Sequence, residues 1–325
     1  MYSLVFSSLD PALNLALEEQ LFLSLPPEHP GYFLLWQNGP SIIVGRHQCT
    51  AEEINAEFVR RENLPVVRRI TGGGAVYHDT GNLNFSFIEN ARGREKVDFR
   101  RYLEPVQAAL RHVGVRAEIS GRNDLEVEGR KVSGSGQRLH RGKALHHGTL
   151  LVQADFERLS EALNVDPEKI LSKGVASVRA RVRNISECWT PGTDMDSLKD
   201  CLLRHCADGE ARLDMGDYAA AQALAESKYR QWSWNYGESP PFSEEKRRRF
   251  PWGSVNLRLS VRKGHIAACR IYGDFFASAE IGELENTFVG LRHEPASLAR
   301  ALKGVPLEMY FSGCDPEETR RFFVE

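Results

Sequence analysis

Three consecutive glycines, Gly72-Gly73-Gly74, break a strand-forming stretch, with Pro65 to Ile70 before them and Ala75 to His78 after. Residues without a Cβ let a ligand approach the backbone closely. Freed N–H groups in such a bend can hold phosphate or carboxylate oxygens. Arg68 and Arg69 at the entrance add fixed charge and fork-like donors. Taken alone, the triplet reads as well as a tight turn beside a surface arginine pair.

Its neighbours narrow the choice. Gly121-Arg122-Asn123-Asp124-Leu125 and Gly129-Arg130-Lys131-Val132-Ser133-Gly134-Ser135-Gly136-Gln137-Arg138 flank a hairpin turn predicted at Glu128-Gly129. Lys131 starts the Gly/Ser-rich arm and can reach an anion as a mobile point charge. Asp124 on the opposing arm can help hold Mg²⁺ beside phosphates. No GxxxxGK[ST] loop surrounds Lys131, so this is not a Walker site. His146-His147 heads a strand, where adjacent side chains face opposite ways. Without spaced partners the pair reads as a steric or hydrogen-bonding feature rather than a zinc site. His78-Asp79 lacks an accompanying nucleophile. Arg179, Arg181 and Arg183 alternate, which on a strand makes one basic face.

Asp10-Pro11 predicts a helix start with Leu13, Leu17 and Leu21 on one face. Tyr32 to Gln37, Ile42 to Val44, Leu83 to Ile88, Arg116 to Ser120, Leu125 to Val127 and Leu145 to Gln153 read as strands. Thr50 and Glu53 form a capping box for one helix. Further helices are expected over Asp98 to Val113 and from Asp155, and Asp194 to Trp234 is mostly helical. The Pro pair at 240–241 and the charge run Glu244 to Arg249 read as a linker or surface crossing. Val255 to Val261 and Ile266 to Tyr272 flank a turn at Lys263-Gly264, with helices after them. The fold class is therefore α+β: a large mixed-sheet domain over residues 1–245 and a small α+β accessory domain over 246–325.

A net charge of −2 and a pI near 6.6 give no general reason for a nucleic-acid or anionic-membrane partner. No apolar run reaches the roughly 18 residues of a membrane helix, and the N-terminus lacks a basic n-region; the expected location is cytoplasmic. Six cysteines without a CxxC pair read as partly or fully buried thiols, Cys201 and Cys206 around His205 included.

Together, Arg68 to Asn82, Gly121 to Arg138, His146 to Leu151 and Lys173 to Asn184 resemble the lipoate–protein ligase A family, in the same order. Asp10 to Glu19 and Trp232 to Ser243 are similar to it as well. The resemblance implies the fold shared with biotin protein ligase and a two-step reaction: lipoate and ATP give lipoyl-adenylate and pyrophosphate, then a carrier lysine takes the acyl group. It implies that Arg69, Gly74, Ala75, Val76 and Tyr77 contact ATP, with Asn123 and Asp124 close by. Lys131 serves both substrates and is the expected catalytic residue. Gly73, Gly74 and His147 are expected at lipoate, and Asp124 at Mg²⁺. A slot for the acyl tail is expected along Val76, Leu83 and Phe85. The implied partners are apo lipoyl domains of 2-oxoacid dehydrogenase E2 subunits and the glycine cleavage H protein, with the chain itself a monomer.

Two other classes compete. An octanoyltransferase of this fold needs a thiol at the acyl site, yet no cysteine falls between Cys49 and Cys188. A non-catalytic lipoate or adenylate binder would have no need of Lys131. Biotin as the acid is a further alternative, with a differently organised Arg/Gly loop.

Overall fold

The computed structural model describes residues 1–94, 98–121, 123–164, 181–236 and 243–324. Its strands are β1 (Tyr2–Val5), β2 (Tyr32–Trp36), β3 (Ser41–Val44), β4 (Val66–Arg68), β5 (Val76–His78), β6 (Asn82–Asn90), β7 (Glu118–Ser120), β8 (Asp124–Val127), β9 (Arg130–His140), β10 (Lys143–Leu151), β11 (Gly209–Glu210), β12 (Glu244–Phe250), β13 (Gly253–Arg262) and β14 (His265–Gly273). Eight of them form a mixed sheet in the order β11-β1-β2-β6-β10-β9-β8-β7. β1 runs parallel to β2 and β11, and the other neighbours are antiparallel. A small sheet, β4-β3-β5, carries the glycine bend between β4 and β5.

Strand alternation sorts β6 into two faces. Leu83, Phe85 and Phe87 enter a core with Leu103, Val106 and Leu110 of helix Arg100–His112 and with Leu198 and Leu202 of helix Met195–Cys206. Each such side chain contributes roughly 1.5–3 kcal/mol on burial. Asn82, Asn84 and Ser86 face the other way and are buried too. On that side lies helix Pro11–Ser24, opened by Pro11 and capped by Asp10, which accepts from the Ala12 amide. The leucines at 13, 17 and 21 predict a one-sided helix. It is instead buried almost all round, Asn14, Glu18 and Glu19 included. Buried polar groups need partners. Asn14 donates to the Ser8 and Gln37 carbonyls, and Glu19 accepts from Lys228 and Tyr229.

Three expectations need correction. Thr50 is no cap: helix Thr50–Glu53 has no side-chain cap bond, because the Thr50 hydroxyl donates to the Asn235 carbonyl and accepts from Arg68. The charge run is no linker: it is strand β12, paired along its length with β13. Its long side chains cover rings, with the Lys246 ammonium 5.1 Å from the Phe322 centroid and the Arg248 guanidinium 4.9 Å from that of Phe250. The expected domain edge between residues 245 and 246 therefore falls inside a strand. The Pro pair at 240–241 lies outside the described residues.

The antiparallel sheet β12-β13-β14 packs under helices Ile281–Phe288, Pro295–Ala301 and Pro316–Val324 around its own core, which includes Leu257, Phe288 and Phe323. It also docks on the glycine bend. The Gly273 amide donates to the His47 carbonyl at 2.7 Å, and Phe275 stacks on the His47 ring at 4.8 Å. Phe276 joins the core of the large sheet, 5.0 Å from Phe99. Arg46 and Arg138 both pair with Glu280, at 2.7 and 2.5 Å. A Cβ at Gly72 would come within 2.1 Å of the Phe275 carbonyl oxygen. No helix among the described residues is long and apolar enough to cross a membrane.

Candidate active site

One cavity of about 330 Å³ draws on most of the expected residues. Gly73, Gly74, Ala75 and Val76 line it from the glycine bend, and Asn123, Asp124, Lys131 and Gly134 from the β8–β9 hairpin. His147 and Gly148 come from β10. The two segments that the sequence singled out separately thus share one space.

The bend is braced from inside. Arg69 is buried, and its guanidinium donates to the carbonyls of Ile43, Gly72 and Gly74 and to the Thr71 hydroxyl. Arg68 is buried as well and donates to the carbonyls of Gly45, Gln48, Trp234 and Asn235. Burial pushes both guanidinium pKa values down to about 10, leaving them charged at neutral pH. Arg68 is thus spent largely on main-chain carbonyls, while Arg69, which also lines the cavity, makes four hydrogen bonds within the bend and to Ile43. Gly73 has φ +93°, and a Cβ there would lie 2.9 Å from Arg69 Nη2. Both observations require glycine.

The hairpin wall is looser. Glu128 and Gly129 take φ 51° and 73°, the left-handed pair that a two-residue turn requires. Lys131 then lies across Gly134, where a Cβ would come within 2.6 Å of its ammonium. Its Nζ is 2.8 Å from Asp124, and its side chain keeps 37 % of its exposure. Asn123 ties the hairpin together: its amide donates to the Ser135 carbonyl, and the Ser135 hydroxyl donates to the Asn123 carbonyl. Val182 bridges to Lys131, and the Arg183 amide donates to the Lys131 carbonyl. That brings in the end of the basic segment. The described part is no strand with a shared basic face: Arg181 lines the cavity, while Arg183 pairs with Glu128 and Glu187. Arg122 and Arg179 lie outside the described residues.

The partners of His147 were not singled out in the sequence. His147 Nδ1 lies 2.9 Å from both oxygens of Glu18, and its Nε2 is 2.6 Å from the Thr71 hydroxyl. The Ser86 hydroxyl donates to Glu18 and accepts from the Trp36 indole. Glu18 is fully buried. An acid inside the apolar stretch Leu13 to Leu21 was the available signal. His78 also lines the cavity; burial, with Arg69 and His147 nearby, lowers its pKa to about 3 and keeps it neutral. It makes no pair with Asp79, which accepts from the Gly81 and Asp155 amides. His146 faces the opposite way and stacks on Tyr102 at 4.7 Å.

Two placements differ from expectation. Tyr77 does not line the cavity; strand alternation turns it into a separate core, where its hydroxyl accepts from Arg158. Leu83 and Phe85 likewise sit on the core face of β6, and the polar Asn84 faces the cavity. Trp36, Leu15 and Ile43 join Val76 as the apolar lining instead.

Among the described residues, which include all six cysteines, no thiol lines the cavity. His112, Cys201 and His205 come within 4.8 Å of one another, but the Cys201 thiol is buried, donates to the Ala109 carbonyl and has its pKa raised by burial. Those features fit the structural reading of this cysteine.

The catalytic-domain model of lipoyl protein ligases A and B matches residues 10–207, and the model of the bacterial lipoate protein ligase C-terminus matches residues 239–323. The chain is 43 % identical over 316 residues to the lipoate-protein ligase LplJ of Bacillus subtilis (strain 168), covering 95 % of each. It is 41 % identical to lipoate–protein ligase 1 of Staphylococcus aureus (strain Mu50), covering 96 % of each. Its fold matches that of P. falciparum LipL1, solved in complex with lipoate, over 99 % of both chains, with a TM-score of 0.81 at 23 % identity. A bipartite lipoate protein ligase from Thermoplasma acidophilum, described with its E2 lipoyl domain, matches 75 % of this chain and 98 % of its own at 27 % identity and TM-score 0.65. With a catalytic-domain match over more than half its length and near full-length curated relatives above 40 % identity, the chain belongs to the lipoyl protein ligase A/B family.

Proposed function

We propose that this protein is an ATP-dependent lipoate–protein ligase. The observation that carries the reading is the convergence of Lys131 and the Gly73-Gly74 bend on one cavity. In the first step a lipoate carboxylate oxygen bonds to the α-phosphorus of ATP as the bond to pyrophosphate breaks. Two anions must meet, so a cation is needed between them. The Lys131 ammonium can leave Asp124 for the reacting oxygens, offset their repulsion, and then stabilise charge on the acyl oxygen. The bend offers main-chain N–H groups to phosphate with no side chain in the way. Asp124, one of two carboxylates that line the cavity, is the one we assign to hold Mg²⁺, which would neutralise the leaving pyrophosphate.

In the second step a neutral carrier amine attacks the acyl carbon and AMP leaves. The amine loses its extra proton on the way, because free lysine has a pKa of roughly 10.4. The apolar surfaces of Trp36, Leu15, Ile43 and Val76 suit an acyl tail, with His147 fixed beside them by Glu18. Relatives named lipoate–protein ligases support lipoate as the acid. The Thermoplasma acidophilum likeness supports a lipoyl domain as acceptor. Apo lipoyl domains of 2-oxoacid dehydrogenase E2 subunits and the H protein are the acceptors we propose, for a cytoplasmic monomer. The absence of a cavity thiol disfavours cysteine-mediated acyl exchange.

Incubation with lipoate, Mg·ATP and an apo lipoyl domain, read by intact mass, tests the proposal. The expected result is one lipoyl group on the carrier, dependent on ATP. An unmodified carrier, or modification that proceeds without ATP, overturns it.

A further inference from the structure

The cavity is not built from the large sheet alone. Arg249 of β12 and Asp274, just after β14, line it beside Gly73, Gly74 and Lys131. Arg249 Nη1 donates to the Ser254 hydroxyl at 2.7 Å and to Asp274 Oδ2 at 3.1 Å. Asp274 is itself fixed by the Ser254 amide at 2.6 Å. The guanidinium is thus aimed rather than free to wander, and its side chain retains 32 % of its exposure.

Charge arithmetic gives this placement a consequence. Mg-free ATP and a carboxylate bring about five negative charges into a space of low dielectric, where unpaired charge is costly. Arg69 is committed to three carbonyls and a hydroxyl. Lys131 faces the reacting oxygens in the proposed chemistry. Arg181 and Arg249 also line the cavity, and Arg249 is the one held in a defined direction by Ser254 and Asp274, partly exposed and suited by its fork to phosphate oxygens.

We propose that Arg249 is an anion-binding residue of the nucleotide site, contributed by the C-terminal sheet, and that it grips the polyphosphate that leaves as pyrophosphate. The inference rests on the ligase reading above and deepens it. Pyrophosphate is present only in the first half-reaction. Arg249 therefore serves acid activation and not acyl transfer.

The two half-reactions separate the possibilities, using the full-length chain. In the first, lipoate-dependent pyrophosphate release is measured against ATP concentration. In the second, preformed lipoyl-AMP is supplied and transfer to an apo lipoyl domain is followed by intact mass. Arg249→Gln is expected to lose on the order of 10² in pyrophosphate release, with a raised KM for ATP. Transfer from preformed lipoyl-AMP should stay within about twofold of wild type, and Arg249→Lys should recover part of the first activity. Equal loss of both half-reactions in Arg249→Gln would make the residue merely structural and overturn the proposal. So would wild-type pyrophosphate release. Wild-type protein that makes no lipoyl-AMP would instead overturn the ligase reading itself.

Discussion

The two long walls of the cavity are built on opposite principles. At the glycine bend, positive charge is buried and largely committed: Arg69 holds the carbonyls of Ile43, Gly72 and Gly74, so the wall is stiff and its N–H groups are set in advance. At the hairpin, Lys131 holds a single carboxylate and keeps solvent access, so its charge can change partner during a reaction. Preorganised donors suit a fixed phosphate, and an exchangeable ammonium suits charge that moves from carboxylate to acyl oxygen. An arginine near an anion site is therefore not an anion ligand by default. What its nitrogens already hold decides.

Substitutions on the two walls should fail in different ways. Arg69→Met would leave three carbonyls without their donor, at roughly 1–3 kcal/mol for each that water cannot reach. The expected loss of about 3 kcal/mol or more would appear as a large drop in the urea midpoint at unchanged m-value; an unaltered midpoint would break the contrast. Lys131→Ala should leave the midpoint nearly in place and cut adenylate formation by on the order of 10². Wild-type pyrophosphate release from that variant would remove Lys131 from its role. Gly73→Val tests the bend without touching charge. A β-branched residue at φ +93° is strained and points at Arg69, so ATP affinity measured by calorimetry should fall about tenfold, alongside a stability loss of roughly 1–3 kcal/mol.

The smallest expected effect concerns pH. Burial keeps His47, His78 and His146 neutral, with His78 down at about 3 and the other two well below their usual value. In the unfolded chain each takes up a proton below about pH 6.5. The unfolded state then binds more protons, so stability present above pH 6.5 falls as the solution is acidified. For His78 the slope approaches about 1.4 kcal/mol per pH unit between pH 6 and 4; His47 and His146 act in the same direction. Replacing His146 by Phe should flatten the stability profile just below pH 6.5; an unchanged slope there would show that this ring is protonated in the fold.

Local chemistry was legible where it was self-contained. The Glu128-Gly129 turn needs only two left-handed residues, and Asp10 and Asp155 cap their helices with their own oxygens. Features decided by distant partners were not legible. Thr50 looked like a cap until Arg68 and Asn235 claimed its hydroxyl. The acyl slot was assigned to Leu83 and Phe85 because they are apolar, yet β6 turns that face to the core and gives the cavity Asn84. Glu18 and Thr71 lie 129 and 76 residues from their partner His147, and Arg249 reaches the cavity from a separate sheet, so no local pattern announced them. The charge run misled because alternating Lys and Arg over Phe250 and Phe322 makes a sound edge strand.

The near-contact between Gly72 and the Phe275 carbonyl bears on how this molecule can be recombined. Because any β-carbon at position 72 would collide with the main chain at 275, the two stretches form a matched seam rather than a tolerant linker joint. Hybrids that splice the C-terminal sheet of one relative onto the large sheet of another should assemble only when both sides of that seam retain the same backbone path. Crossover points are therefore better placed on surfaces away from it.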